Sequence, residues 1–200
     1  MKIAGVILAG GASQRMGEHK PLMPFRGGVL IDAVIARAHR QVEALAIDAP
    51  REGVDLYLAR YQGQYAVIPD LFGDTLGPLC GIVTGLDWIS QLGDFDWLAS
   101  FPCDTPFLPE DLVAQLARAA RDGRPVVAAH GGRVHSVCGL WPGSCLTKLK
   151  SGIESGDYKS VRGALEAFGG RECAIRANDN AFFNVNTREE LQAAETIRPS

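Results

Sequence analysis

The amino-acid sequence predicts an α/β protein, a three-layer sandwich in which a mostly parallel sheet lies between two layers of helices. The first observation is that short apolar segments of strand length alternate with segments whose apolar residues recur at helical spacing. The second is size, because 200 residues with 46% hydrophobic and 22% charged residues are typical of one globular domain with a substantial core. No internal repeat, linker or low-complexity segment divides the chain, so we expect a single domain over residues 1–200.

The predicted strands are short apolar segments that end at glycine, aspartate or proline. Ile3–Leu8 has the length of a buried strand and is followed closely by glycines. Trp97–Phe101 is expected at the centre of the sheet and ends at Pro102. The two predicted strands between residues 125 and 140 are expected to form an antiparallel pair. The remaining predicted strands are Ala44–Ile47, Ala66–Ile68, Pro125–Ala129, Arg133–Leu140, Glu172–Ile175 and Ala181–Val185.

The predicted helices combine an apolar period near 3.6 with suitable residues at their ends. Val29–Val42 shows this period, and Thr187–Ile197 begins with a threonine cap and a capping-box glutamate. A helix that begins at Leu79 contains Gly81 and Gly85. Because a helical glycine costs about 1 kcal/mol relative to alanine, we expect a ligand base or a neighbouring strand to approach this helix closely. The other predicted helices are Pro109–Arg121, Ser144–Lys150 and Tyr158–Phe168.

The loop after the first strand combines three glycines with two cations. Gly10, Gly11 and Gly17 allow backbone N–H groups to approach an anion closely, and Arg15 and Lys20 add positive charge nearby. An isolated Gly-Gly pair is more often a simple turn, but the cations and the position after a strand favour a phosphate-binding loop. The spacing fits neither the Walker A pattern nor the dinucleotide-binding pattern, so this is a phosphate loop of another kind.

Carboxylates follow three of the predicted strands, at Asp48, Asp70 and Asp104. A single aspartate at such a place is usually a turn or cap residue. Three of them together with the glycine loop favour a ligand site at the carboxyl edge of the sheet. Asp104 is the strongest candidate, because Pro102 and Pro106 stiffen its backbone and a rigid carboxylate suits Mg²⁺.

Charge and cysteine content exclude several classes of partner. The net charge of −3 gives no basic surface for nucleic acid or an anionic membrane, and no apolar run approaches the ~18 residues of a transmembrane helix. The five cysteines are odd in number and scattered, without a Cys-x2-Cys pair. We therefore expect a cytoplasmic protein in a reducing environment.

The segment Leu8-Ala9-Gly10-Gly11-x-Ser13-x-Arg15-Met16-Gly17-x-x-Lys20 resembles the signature of nucleotidyltransferases with one Rossmann-like domain, of the nucleotide-diphospho-sugar transferase type. Its Gly-Gly form resembles the molybdenum cofactor guanylyltransferases, whereas the sister cytidylyltransferases usually have Ala-Gly. Pro102–Pro106 and Phe183–Thr187 resemble two further motifs of the family, in the same order along the chain. His19 departs from the pattern, because the family usually has aspartate before the lysine.

The resemblance implies a role for each matched residue. On a predicted strand Asn184 and Asn186 share one face, although an asparagine before a helix is more often a cap. Asp48 stands where the family commonly has asparagine. The implied catalytic residues are Arg15, Lys20 and Asp104; the nucleotide-binding residues are Leu8, Ala9, Gly10, Gly11, Lys20, Asp48, Asp70, Gly77, Gly81 and Asp104; the metal ligands are Asp104 and Asn186; and the acceptor-binding residues are His135 and Asn184.

The implied reaction is transfer of GMP from MgGTP to the terminal phosphate of molybdenum-molybdopterin, which gives molybdopterin guanine dinucleotide and pyrophosphate. Mg²⁺ is the implied cofactor. The attacking phosphate monoester, with a second pKa of about 6, is already an anion near neutral pH, so no general base is needed. We expect a monomer that makes transient contacts with proteins of molybdenum cofactor insertion and maturation.

Two alternatives remain open at this point. A cytidylyl- or other nucleotidyltransferase would use the same fold with another base. A protein that binds GTP without catalysis would retain the glycine loop. Two departures from the family pattern are compatible with this alternative: His19, and Ser136, which stands where the family usually has proline.

Overall fold

The computed structural model describes residues 1–10, 19–72, 76–120 and 122–198. Its strands are β1 (Ile3–Leu8), β2 (Pro24–Phe25), β3 (Gly28–Val29), β4 (Ala44–Ala49), β5 (Ala66–Pro69), β6 (Trp97–Pro102), β7 (Val126–His130), β8 (Arg133–Pro142) and β9 (Arg171–Ala174). Its α-helices are α1 (Leu30–Ala38), α2 (Val54–Tyr61), α3 (Pro78–Leu92), α4 (Leu112–Ala119), α5 (Leu146–Glu154), α6 (Val161–Ala167) and α7 (Arg188–Thr196). Short 3₁₀ turns cover Lys20–Leu22, His39–Gln41, Arg51–Gly53 and Gly143–Cys145.

Among the described residues, seven strands form one sheet in the order β5-β4-β1-β6-β8-β7-β9. Val6 on β1 lies opposite Ala46 on β4 and Ser100 on β6, and both pairings are parallel. β8 runs antiparallel to β6 and β7, whereas β9 is parallel to β7. The predicted mostly parallel sheet is confirmed, as are the central place of β6 and the antiparallel pair β7–β8. Within this sheet of described strands, β8 therefore runs against both of its neighbours. We call β5-β4-β1-β6 the parallel half and β8-β7-β9, which contains the antiparallel strand β8, the antiparallel half.

Helices cover both faces of this sheet, which confirms the predicted three-layer architecture. On one face the core contains Ile31 and Val34 of α1, Tyr57 of α2 and Leu112 of α4. On the opposite face it contains residues of α3, α5 and α6, among them Leu79, Ile82, Leu86, Leu149 and Val161. Among the described helices, none is long and apolar enough to cross a membrane.

Several predicted boundaries were wrong, and local hydrogen bonds explain two of them. The predicted helix Tyr158–Phe168 begins only at Val161, because the Ser160 side chain accepts a hydrogen bond from the backbone N–H of Gly163 and caps it there. The predicted helix Pro109–Arg121 begins at Leu112, after a turn in which the Leu112 N–H donates to the Pro109 carbonyl. Helix α2 was not predicted at all.

The predicted last strand, Ala181–Val185, is not a strand in the structure. Its beginning is folded into turns, in which the N–H of Ala181 donates to Asn178 O and that of Phe183 donates to Asn180 O. The segment is then held by a hydrogen bond from the Val185 N–H to the Asp104 carbonyl at 2.9 Å. Helix α7 follows as predicted, with Thr187 as its cap and Glu190 completing the capping box.

Candidate active site

Three side chains from distant parts of the sequence meet in one cluster beyond the end of β6. Lys20 Nζ donates to Asp104 Oδ2 at 2.6 Å and to Asn186 Oδ1 at 2.9 Å. Lys20 is buried, and the Asp104 side chain is 17% exposed. An ion pair this far removed from water is electrostatically stronger than one on the surface. We call Lys20, Asp104 and Asn186 the cation cluster.

The backbone around the cation cluster is tied together by hydrogen bonds. The Asp104 carbonyl accepts from the Val185 N–H, which brings the segment before α7 beside the segment after β6. The Glu190 carboxylate accepts from the Asn186 N–H at 2.6 Å and from the Thr187 N–H at 2.9 Å. The capping box of α7 therefore also fixes the backbone that carries Asn186.

Lys20 lies at the start of a 3₁₀ turn in which the Leu22 N–H donates to the His19 carbonyl at 2.8 Å. The His19 ring packs against Gly53, where an added Cβ would be 2.9 Å from Cε1. The family's usual aspartate is thus replaced by a residue that contacts the segment after β4. His19 therefore contacts a neighbouring segment, and Lys20 beside it points its ammonium group into the cation cluster.

The donor set of the cation cluster suits a hard divalent cation. Asp104 Oδ2 and Asn186 Oδ1 already share one positive charge, the Lys20 ammonium, so these two oxygens converge on a single point. Within the described ranges there is no group of three His, Cys, Asp or Glu residues that could hold a metal. Mg²⁺ commonly uses one or two protein oxygens together with water and substrate phosphates, so a small oxygen set of this kind fits it.

A second group of residues lies on the other side of β1. Asp48 and Asp70 are each 1% exposed. A Cβ added at Gly10 would lie 2.7 Å from Asp48 Oδ2 and 3.1 Å from Asp70 Oδ2, so both carboxylates approach this glycine. Parallel pairing explains the convergence, because Leu8 of β1 is in register with Asp48, and the Asp70 N–H donates to Ala49 O at the neighbouring strand end.

Gly81 and Gly85 of α3 are required by the strands beneath the helix. A Cβ at Gly81 would collide with Asp48 Oδ2 and Leu8, and one at Gly85 would lie 2.8 Å from Leu98 Cδ2 and 2.9 Å from Val6 Cγ1. Of the two predicted reasons for helical glycines, a neighbouring strand and a ligand base, the structure shows the strand at both positions.

Arg51 is a site residue that the sequence did not single out. Its Nε donates to the Asp70 carbonyl at 2.7 Å and its terminal nitrogen donates to the Leu71 carbonyl at 2.8 Å. These bonds fasten the segment after β5 to the segment after β4. An arginine three residues after Asp48 was the only signal, and it is indistinguishable from an ordinary surface arginine.

A cavity of about 710 Å³ opens beside the cation cluster, against the β7–β8 hairpin. His135, Asn184 and Asn186 all line it, although the reasoning that placed both asparagines on one face of a strand was wrong. The His135 and Phe182 rings stack with centroids 4.2 Å apart and planes inclined by 19°. Burial lowers the pKa of His135, which favours the neutral imidazole. Phe182 was not predicted, because an apolar residue in an apolar segment carries no signal of a site.

The remaining predicted residues lie at the end of β1, before α3, beside Asp104 or outside the described residues. Leu8 and Ala9 are buried at the end of β1, and Gly77 precedes α3 with a φ of 55°, in the left-handed region that favours glycine. Gly11 and Arg15 lie outside the described residues. Cys103, beside Asp104, is buried, and this burial raises the pKa of its thiol, so it packs as a small apolar residue.

Two solved structures illustrate the fold that this chain shares. The crystal structure of molybdopterin-guanine dinucleotide biosynthesis protein A from Archaeoglobus fulgidus matches with a TM-score of 0.74 at 22% identity, over 98% of this chain and 97% of that one. A Mycobacterium tuberculosis protein solved in complex with manganese matches with a TM-score of 0.71 at 16% identity, over 98% of this chain and 100% of that one.

Fold, site and sequence together define the class of the protein, which is a nucleotidyltransferase. The family model for the MobA-like NTP transferase domain matches residues 5–193, and the chain belongs to this family. The molybdenum cofactor guanylyltransferase of Mesorhizobium japonicum is 37% identical over 212 residues, which cover 98% of this chain and 96% of that relative. The resemblance that the glycine loop predicted is therefore confirmed.

Proposed function

We propose that this enzyme transfers GMP from GTP, with Mg²⁺, to the terminal phosphate of molybdenum-molybdopterin, and releases pyrophosphate. The observation that carries the proposal is the cation cluster. Its Asp104 follows β6, and in the sheet β6 separates β4 and β5, at whose ends Asp48 and Asp70 lie, from β8, which borders the cavity. An enzyme that joins two anionic substrates needs positive charge at the boundary between their sites. The curated relative with 37% identity is named for the same chemistry.

The nucleotide is assigned to the parallel half of the sheet. Leu8, Ala9, Gly10 and Gly11 would supply backbone around the phosphates, with Arg15 and Lys20 as cations. Guanine offers N–H donors, which carboxylate or carbonyl acceptors near the site would select. The further residues assigned to the nucleotide are Asp48, Asp70, Gly77, Gly81 and Asp104.

The acceptor is assigned to the cavity in the antiparallel half. The His135 ring, held by stacking on the buried Phe182, lines this cavity and offers an aromatic contact for a fused-ring substrate, and the Asn184 amide offers both donor and acceptor groups. His135 is only partly buried, so its ring nitrogens can reach a ligand.

The chemical step forms a bond between an oxygen of the acceptor phosphate and the α-phosphorus of GTP, and breaks the bond to the departing pyrophosphate. Asp104 and Asn186 would hold Mg²⁺, which when bound supplies charge neutralisation for the phosphates. The manganese bound by the M. tuberculosis structure of this fold supports a divalent ion here. Lys20 and Arg15 would neutralise the leaving group, and the attacking phosphate is already ionised near neutral pH.

We further propose that residues 1–200 form one domain, which is supported by the family match over residues 5–193. The enzyme is proposed to act as a monomer in the cytoplasm, where transient contacts with proteins of molybdenum cofactor insertion and maturation would pass on its product. A reducing compartment suits its five cysteines.

The decisive experiment measures pyrophosphate release by the purified protein with Mg²⁺ and each of GTP, CTP, ATP and UTP, with and without molybdenum-molybdopterin. We expect release only with GTP and the acceptor together. Preferential release with CTP would show a cytidylyltransferase. A rise in melting temperature with GTP, but no pyrophosphate with a competent acceptor, would show a GTP-binding protein without catalysis.

A further inference from the structure

Lys20 satisfies the two oxygens that a divalent ion at this site would use. Its ammonium group lies 2.6 Å from Asp104 Oδ2 and 2.9 Å from Asn186 Oδ1. An ion bound to the same two oxygens would share them with the ammonium group and repel it. The protein therefore carries its own cation at this position.

We propose that Lys20 is an exchangeable resident cation, which weakens binding of the divalent ion alone and makes ion and nucleotide bind together. The inference rests on the proposed function in one respect, that the second ligand is a nucleoside triphosphate. It adds a role in the order of binding to the role of Lys20 in neutralising phosphate charge.

Burial supplies the energetic argument. Lys20 is 7% exposed and the Asp104 side chain 17% exposed, so neither charge is well hydrated when its partner is removed. A divalent ion that arrives alone displaces the ammonium group from Asp104 and leaves it without an anion. An ion that arrives with a nucleotide brings phosphate oxygens, which accept charge-assisted hydrogen bonds from the displaced ammonium group.

The coupling must be reciprocal, since each ligand changes the affinity of the other by the same factor. If Lys20 acted only on phosphate, its removal would weaken nucleotide binding and leave binding of the ion alone unchanged. Exchange instead predicts tighter binding of the ion alone, because removal of the competing cation frees Asp104 and Asn186.

The test uses Mn²⁺ as the probe and measures free Mn²⁺ by electron paramagnetic resonance with the full-length, nucleotide-free protein. Lys20→Met keeps the apolar stem and removes the charge, and we expect it to bind Mn²⁺ about tenfold more tightly than the wild type, within the range common for coupled sites. In the same variant the enhancement of Mn²⁺ binding by GTP should fall by a similar factor.

Three variants serve as controls. Lys20→Arg keeps a cation in place and should bind Mn²⁺ as weakly as the wild type. Lys150→Met removes the lysine of another ion pair, with Asp87 on α3, and should change nothing. Lys20→Met combined with Asp104→Asn should lose the gain, which shows that the ion uses Asp104.

The outcomes separate this inference from the proposed function. Equal or weaker Mn²⁺ binding by Lys20→Met overturns the exchange, while the pyrophosphate assay with GTP still decides the reaction. Tight Mn²⁺ binding by Lys20→Arg also overturns it, because the charge is then not the cause. Tighter binding by Lys20→Met alone, lost with Asp104→Asn, supports the exchange even if the pyrophosphate assay assigns another nucleotide.

Discussion

The two halves of the sheet build their parts of the site in different ways. In the parallel half, strand ends bring Asp48 and Asp70 together around Gly10, and both carboxylates are almost completely buried. In the antiparallel half, a hairpin and an irregular segment surround an open cavity, with His135 stacked on Phe182. In the parallel half the site is compact, and its two carboxylates lie close to the backbone of Gly10. In the antiparallel half the site is wide, and rings and amides line it together with the charged residues Arg133, Asp179 and Glu190.

The difference follows from strand direction. Parallel neighbours end at the same edge, so residues after several strands must meet there. Antiparallel neighbours alternate their ends, so a site in that half depends on loops from elsewhere, here the segment before α7. The cation cluster contains one residue beside each half, Lys20 and Asn186, which are hydrogen-bonded directly to each other, and Lys20 also pairs with Asp104 after β6. The proposed division of labour is nucleotide in the parallel half and acceptor in the antiparallel half.

The largest effect is expected where the halves join. Asp104→Asn removes the charge of the proposed metal ligand without changing its size, and turnover should fall by about 100-fold or more, as for loss of one preorganised electrostatic group. Initial rates of pyrophosphate release with saturating GTP and acceptor measure this. Asp111→Asn, an exposed aspartate whose carboxylate accepts a hydrogen bond from Gln115, is the matched control. Near-wild-type turnover of Asp104→Asn would show that Asp104 has no catalytic role.

A smaller and more selective effect is expected in the antiparallel half. Phe182→Leu removes the ring that stacks on His135, and an aromatic pair contributes about 0.5–1.5 kcal/mol beyond its buried area. We therefore expect the KM for the acceptor to rise by up to about tenfold, with the KM for GTP unchanged. Steady-state kinetics with each substrate varied in turn provide the measurement.

Phe168→Leu is the control for this experiment, because Phe168 packs against Tyr158 and lies outside the residues that line the cavity. It should alter stability without changing either KM. A rise in the KM for GTP in Phe182→Leu, with the acceptor unaffected, would reverse the assignment of the two halves.

The site residues of the parallel half could be predicted from the sequence, because each of them lies at or just after the end of a recognisable strand. A strand, then glycine or aspartate, repeated along the chain, is enough to place Gly10, Asp48 and Asp70 at one edge. The bond between Lys20 and Asn186 joins residues 166 positions apart, and no spacing reveals it. The glycine loop pointed to Lys20 as a cation for phosphate and the resemblance implied Asn186 as a metal ligand, but neither predicted their contact.

The errors in the fold also have physical causes. Helix α2 buries Tyr57 and Tyr61 but exposes Leu56 and Leu58, at 48% and 38%, so apolar residues on its outer face hide the helical period. In the segment 181–185, apolar residues at strand spacing are buried by packing after a turn rather than by pairing. Hydrophobicity predicts burial there, and hydrogen bonds decide the secondary structure.

The smallest predicted effect tests how the capping box of α7 positions Asn186 in the cation cluster. Glu190→Ala and Thr187→Ala each remove one side of the capping box of α7, and loss of a cap costs about 1 kcal/mol of stability. Only Glu190 also accepts the Asn186 N–H, at 2.6 Å. Glu190→Ala should therefore weaken binding of Mn²⁺ with GTP by roughly fivefold, the value of one net hydrogen bond, whereas Thr187→Ala should not.

Thermal unfolding and Mn²⁺ titration in the presence of GTP separate the two effects for each variant. Glu190→Gln keeps an acceptor oxygen for the backbone and should recover most of the affinity lost in Glu190→Ala. If Thr187→Ala loses as much affinity as Glu190→Ala, the whole helix positions Asn186, and its N–H bond to Glu190 has no separate role. If only Glu190→Ala loses affinity, one carboxylate from α7 positions Asn186 relative to Lys20 and Asp104. These two residues are held by other segments, so that carboxylate would align the antiparallel half of the site with the parallel half.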